Sequence, residues 1–127
     1  MAEPTLLANF ELRDNAPLTI KGEARTHYRI RLSLMEPPSD ILIVIYTLDS
    51  SYTNPIRMVT SGIPDYQEFI TSYGDFEVRV AFRARSRPNE IQSLLSKKLS
   101  LALKDFYSIQ GNNSPQIEEA IRNIEQN

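Results

Sequence analysis

The chain has 127 residues, a formal net charge of −2 at pH 7, no cysteine and one histidine. Hydrophobic residues make up 41% and charged residues 24%, a balance that lets one domain build a core without disulfide or metal staples. These numbers exclude a disulfide framework, a thiolate zinc site and a generally basic nucleic-acid binder. The opening Met1-Ala2-Glu3-Pro4 lacks the basic flank of a secretion signal. The longest apolar run, Ile41 to Leu48, falls far short of the roughly 20 residues that span a bilayer. The chain therefore reads as cytoplasmic, with no membrane insertion.

The first two-thirds of the chain alternates in the manner of strands. Leu6, Ala8, Phe10 and Leu12 share one face of a first strand, and a second short strand runs through Leu18-Thr19-Ile20-Lys21. Tyr28, Ile30, Leu32 and Leu34 alternate with Arg29, Arg31 and Ser33, the pattern of a half-buried strand. Met35-Glu36-Pro37-Pro38-Ser39-Asp40 is a turn, since proline fixes φ and removes a ladder donor. Ile41 to Leu48 is apolar on both faces and rich in β-branched residues, which predicts a central strand covered on both sides. Ile56 to Val59 and Tyr66 to Ile70 are shorter strands around Gly62 and Pro64. Phe76, Val78, Val80, Phe82 and Ala84 then alternate with Glu77, Arg79, Arg83 and Arg85. Seven or eight short strands separated by turns predict a mainly β, immunoglobulin-like sandwich. No Cys-Trp-Cys pattern marks it as an antibody-type domain.

After Arg87 the spacing of apolar residues becomes helical. Asn89 with Gln92 three residues on forms a capping-box pattern, and Ile91, Leu94, Leu95, Leu99, Ala102, Leu103 and Phe106 share one helical face. Gly111 is a natural stop. Ser114-Pro115 opens a second helix, with Ile117, Ala120, Ile121 and Ile124 as its stripe. The expected organisation is a sandwich over residues 1–87 and a two-helix extension over residues 88–127. The helices either pack on the sandwich or dock onto a second copy or another protein.

One segment is more specific than the rest. Tyr46-Thr47-Leu48-Asp49-Ser50-Ser51-Tyr52-Thr53-Asn54-Pro55-Ile56-Arg57 is followed by Phe69-Ile70-Thr71-Ser72-Tyr73-Gly74-Asp75-Phe76. This resembles the YEATS domain family. Its signature is a buried strand ending in Leu-His-x-Ser-Phe, then x-x-Pro-x-Arg, then a Phe and a Trp/Tyr-Gly-Glu-Phe segment opening another strand. Thr26-His27-Tyr28 is similar to the aromatic start of an early strand, where the family usually has Trp. The likeness runs roughly from Gly22 to Arg85 and points to the prokaryotic branch. The resemblance implies an immunoglobulin-like fold and, by analogy with eukaryotic members, an acyl-lysine slot between two aromatic walls. Carried over by position, Tyr52 and Tyr73 are the walls and Ser51 supplies a hydroxyl. The Tyr73 backbone N–H meets the acyl carbonyl, and Gly74 lets the loop approach closely.

The departures bear on chemistry. Asp49 stands where the family has histidine, and Tyr52 and Tyr73 replace the usual Phe and Trp. Asp49 and Ser51 share a face of an extended segment. A carboxylate only accepts hydrogen bonds, so Asp49 could take the Ser51 proton and leave the serine oxygen free to accept a ligand amide. It could equally favour a positively charged ligand. Asp49 to Asn54 also have the composition of a plain polar turn.

Nothing in the chain composes a catalytic or metal centre. His27 stands alone, so no two-histidine metal site forms, and no nucleophile-elbow or phosphate-cradling glycine loop is present. No cofactor is implied. Arg29, Arg31, Arg79, Arg83 and Arg85 occupy the outward parity of two strands, which would make one basic face if the strands were neighbours. Three readings follow. The first is a non-catalytic adaptor for a protein or peptide ligand, acyl-lysine included. The second is an assembly subunit joined through its helices, and the third a binder of anionic polymers.

Overall fold

Ten consecutive residues, Thr26–Met35 (β5), form the longest strand of the first sheet. Tyr28, Ile30, Leu32 and Leu34 are all buried along one face of it, as their alternation requires. The computed structural model describes residues 3–21, 25–111 and 114–127, so Met1, Ala2 and Gly22, where the family likeness begins, lie outside the described residues. Strand Thr5–Phe10 (β1) pairs antiparallel with β5 from Thr5↔Met35 to Phe10↔Ile30. The chain then makes a small side ribbon, Leu12–Arg13 (β2) with Ala16–Pro17 (β3). It rejoins β5 as Thr19–Lys21 (β4), paired from Thr19↔Tyr28 to Lys21↔Thr26. Leu12 is therefore not a core residue of the first strand: that strand stops at Phe10, and Leu12 is 48% exposed on the ribbon.

Three more strands, Ile41–Thr47 (β6), Ile56–Thr60 (β7) and Glu68–Ser72 (β8), follow. The β8 strand pairs with β5 from Tyr28↔Ser72 to Leu32↔Glu68. A strand has one neighbour per edge, so β8 takes the edge opposite β1 and β4. Glu77–Ala84 (β9) and Arg87–Lys98 (β10) complete a second sheet in the order β10-β9-β6-β7. Within it β6 is flanked on both sides, and Ile41, Val44, Ile45 and Tyr46 are buried. The expectation of a central strand there holds.

The segment after Arg87 departs from the sequence expectation. Residues Asn89 to Lys98 are strand, not helix, and Asn89 caps nothing. The chain turns tightly at Arg85-Ser86 and pairs β10 back onto β9. Two irregularities in that pairing, between Arg87 and Gln92 and between Ser93 and Leu95, shift which face each residue meets. Apolar residues on a bulged strand lose strict alternation, so Ile91, Leu94 and Leu95 mimic a helical period. Ile91 is in fact 61% exposed.

Helix begins at Leu99. The first helix, Leu99–Gln110 (α1), ends at Gly111, whose φ of 74° is the left-handed cap that glycine adopts without strain. The second, Pro115–Gln126 (α2), starts as the sequence predicts: the Ser114 side chain accepts the Ile117 N–H at 3.2 Å, and Pro115 occupies the first turn. Leu99, Ala102, Leu103 and Tyr107 of α1, with Ile117, Ala120, Ile121 and Ile124 of α2, join the strand residues in one core cluster.

Side chains meet backbone groups along the outer edges of β1 and β8, which matters because bare edge groups template unwanted pairing. On β1, Phe10 N–H donates to the Tyr107 hydroxyl at 3.0 Å, and the Leu6 carbonyl accepts from Lys97 Nζ at 3.0 Å. On β8, the Thr71 carbonyl accepts from the Tyr52 hydroxyl at 2.5 Å, and Phe69 N–H donates to Glu68 Oε1 at 3.2 Å.

The arginines do not form one stripe. Arg29 and Arg31 are on β5, whereas Arg79 and Arg83 are on β9 of the other sheet and Arg85 is in the turn beyond it. Several are also engaged: Arg29 pairs with Glu11, Arg31 donates to Asn9 and Gln67, and Arg85 donates to Ser61. The premise for anionic-polymer binding fails with that geometry.

Replacing Tyr107 by Phe keeps the ring but strands a buried N–H on Phe10. We expect a loss of about 1–3 kcal/mol, read as a lower urea midpoint with unchanged slope. An unchanged midpoint would show that α1 does not cover the β1 edge.

Candidate functional site

A sharp polar turn follows β6. The Asp49 carboxylate accepts both the Ser51 N–H at 3.1 Å and the Ser51 hydroxyl at 2.6 Å through the same oxygen, and Tyr52 N–H closes back on the Asp49 carbonyl at 3.1 Å. Short acidic side chains favour this arrangement because they stand in for a backbone acceptor. The two bonds from Ser51 hold the Asp49 carboxyl below its ordinary value of 3.8. The Ser51 hydroxyl proton is therefore committed to Asp49, and its oxygen keeps acceptor capacity.

The turn aims Tyr52 toward β8. Its hydroxyl donates to the Thr71 carbonyl, and its ring meets Phe76 edge-on with centroids 5.5 Å apart. Burial raises the Tyr52 phenol above its usual range. The second loop leaves the end of β8. Ser72, itself buried, bonds Gly74 twice: its hydroxyl donates to the Gly74 carbonyl at 2.7 Å and accepts the Gly74 N–H at 3.2 Å. This tight link throws Tyr73 outward, where it is 42% exposed. One step beyond the Tyr28↔Ser72 pair, Tyr73 meets His27, their rings stacked at 5.2 Å. The Arg25 guanidinium carbon lies 4.7 Å from the Tyr73 centroid, within cation–π range. The Tyr73 N–H has no acceptor among the described residues. At Gly74 an added Cβ would stand 2.9 Å from the Asn127 carbonyl carbon, so the close approach of α2's end needs glycine.

These loops enclose an open cleft of about 390 Å³. Asp49, Ser51, Tyr52, Tyr73 and Gly74, the five residues singled out from sequence, all line it. Thr71, Ser72, Phe76, His27 and Asn127 line it too, and none was singled out as a ligand contact. His27 and Tyr73 could have been linked only through the strand register. Asn127 comes from the far end of the chain and left no sequence signal. Each tyrosine ring packs on its own aromatic neighbour, Tyr52 on Phe76 and Tyr73 on His27.

The cleft brings His27, Ser51 and Asp49 together, but not as a relay. Ser51 bonds Asp49 directly, and among the described residues no hydrogen bond joins His27 to Ser51. Nor do the described residues contain a group of three His, Cys, Asp or Glu able to hold a metal ion.

The turn should respond to acid in a set direction. A carboxyl whose folded-state pKa lies below its unfolded value stabilises the fold above the unfolded value and loses that effect as pH falls through the folded one. Followed by NMR from about pH 6 downward, the Ser51 amide shift should titrate with a midpoint below 3.8. A midpoint above that value would contradict the Asp49–Ser51 bonds, and Asp49→Asn should abolish the transition.

No protein-family model matches the sequence, and no curated protein matches it. Solved structures do. The Yaf9 YEATS domain recognising an H3K122suc peptide is 15% identical at a TM-score of 0.54, over 76% of this chain and 71% of that one. Yeast Yaf9, an AF-9 homologue, is 20% identical at 0.50, over 76% and 66%. The Yaf9 YEATS domain bound to H3K27ac is 18% identical at 0.51, over 76% and 70%. Identities this low speak for backbone architecture alone, and the architecture they give is clear: this chain has the fold of a YEATS domain.

Proposed function

We propose that the chain is a YEATS-like, non-catalytic recognition module that binds a protein or peptide ligand in the cleft between the Ser51-Tyr52 turn and the Tyr73-Gly74 loop. One observation carries this reading: two separate tyrosine-bearing loops line a single cleft, with a serine oxygen and a backbone N–H at hand. A neutral acylated lysine needs an acceptor for its amide N–H, a donor for its carbonyl and apolar faces around its stem. The Ser51 oxygen, the Tyr73 N–H and the tyrosine rings offer those three things. The Asp49 carboxylate engages Ser51 through Oδ2 and stays ionised, so the cleft is tested with cationic as well as neutral lysine. The Yaf9 YEATS domain recognises an H3K122suc peptide in one structure and is bound to H3K27ac in another, and we extend the peptide class, not the histone, to this chain. We place the module in the cytoplasm, acting as an adaptor.

Assembly through the helices would have to use other surfaces. Leu99, Ala102, Leu103 and the α2 stripe are buried in the core and Phe106 packs half-buried against it, which leaves Leu101 and Ile109 as the large exposed apolar side chains of α1.

Titration with unmodified, acetylated and crotonylated lysine peptides, followed by NMR, tests recognition. Shifts should concentrate at Ser51, Tyr52, Tyr73 and Gly74 and favour the acylated peptides. Tyr73→Ala should weaken binding by roughly tenfold or more, the size expected for truncating an aromatic anchor. Preference for the unmodified peptide would reassign the cleft to cationic ligands, and silence from all three would overturn the reading.

A further inference from the structure

Asp75 lines the cleft, yet its carboxylate is not free to meet a ligand. Its Oδ1 accepts the Phe76 N–H at 3.0 Å and the Ser100 N–H at 2.9 Å, while Oδ2 accepts the Ser100 hydroxyl at 2.6 Å. Ser100 is the second residue of α1 and is buried. The first residue, Leu99, donates its N–H to the Phe76 carbonyl at 2.9 Å. Lys98, the helix's own N-cap residue, supplies no side-chain cap. Two of the unpaired donors at the start of α1 are thus satisfied by the cleft loop, and the negative carboxylate sits where the helix dipole favours it.

The second helix grips the same region. Asn123 donates to the Tyr28 hydroxyl at 2.8 Å, one residue from the His27 ring that stacks on Tyr73. The end of α2 abuts Gly74 so closely that no Cβ fits there. Tyr73 and Gly74 therefore stand between a strand end and two helix termini.

We propose that Asp75 and Ser100 are positioning residues of the cleft: the docking of α1 on Asp75 sets where Tyr73 and Gly74 stand, so helix docking and ligand binding are coupled. The ligand half of this proposal rests on the recognition reading above. Coupling of this kind is reciprocal: a bound ligand holds the start of α1 closed, and a frayed α1 loosens the cleft.

The test uses the full chain with Asp75→Asn, Ser100→Ala and their combination. Ile41→Val is the control, because Ile41 is buried but pairs with Ala84 at the end of β6 away from Asp49. Without ligand, Asp75→Asn and Ser100→Ala should shift the Tyr73 and Gly74 amides and speed exchange at the α1 start, whereas Ile41→Val should do neither. With the acetyl-lysine peptide, both should weaken binding at least about fivefold, the lower end for coupled sites. The double variant should be no weaker than Asp75→Asn alone, as expected for two members of one interaction. The proposal is overturned if both variants lose stability as Ile41→Val does while the Tyr73 and Gly74 resonances and the affinity stay put. Asp75 would then be a helix cap only, and recognition would stand. If the parent chain ignores every peptide, recognition and the coupling to ligand both fall, and the ligand-free spectra alone decide whether Asp75 positions the loop.

Discussion

The antiparallel register between β5 and β8 underlies the arrangement of the cleft. Pairing Tyr28 with Ser72 sends Ser72 inward, where its hydroxyl can fold back on Gly74, and leaves Tyr73 to emerge beside His27. The same strand receives Tyr52 from the other sheet, through the Thr71 carbonyl. Both tyrosine-bearing loops are thus referred to one strand end. A slip of one residue would exchange the inward and outward sets along β8, bury Tyr73 and remove the anchor for Tyr52 together.

The helices are bound into this arrangement and are not appended to it. A sandwich that ended at β10 would leave the Phe10 N–H on the β1 edge without its partner. Tyr107 of α1 meets that group, while Leu99, Leu103 and the α2 stripe complete the core. At the other end of α1, Asp75 supplies the cap that Lys98 lacks. The helices therefore contact the sandwich at a sheet edge and at the cleft loop, and each contact satisfies a backbone group that burial would otherwise penalise.

The Asp49–Ser51 pair gives the cleft a particular chemistry. A serine whose proton is held by an adjacent carboxylate presents an oxygen acceptor with little rotational freedom. That suits a ligand amide donor better than it suits nucleophilic attack, since no histidine stands between the two side chains to shuttle a proton. Tyr73, with His27 and Arg25 packed against its ring, is held in place and is not a free flap.

Much of this was readable from the chain alone, and the limits are physical. Period-two alternation in Tyr28 to Leu34 and Phe76 to Ala84 identified strands, because a half-buried strand has no other way to sort its side chains. Pro115 and Gly111 marked helix ends because φ preferences are local. The order of Asp49, Ser51, Tyr52, Tyr73 and Gly74 in two short motifs singled out the residues that line the cleft. What the sequence could not resolve was anything set by non-local pairing. The β10 bulges disguised a strand as a helix, and whether the arginines of β5 and β9 were neighbours was open until strand order put them in different sheets. Leu12 kept the parity of a core residue but lay beyond the strand's end. His27 beside Tyr73, Ser100 on Asp75 and Asn127 against Gly74 join residues 25 to 53 positions apart. Contacts over such separations leave no periodic trace in one sequence, and only the folded chain brings them together.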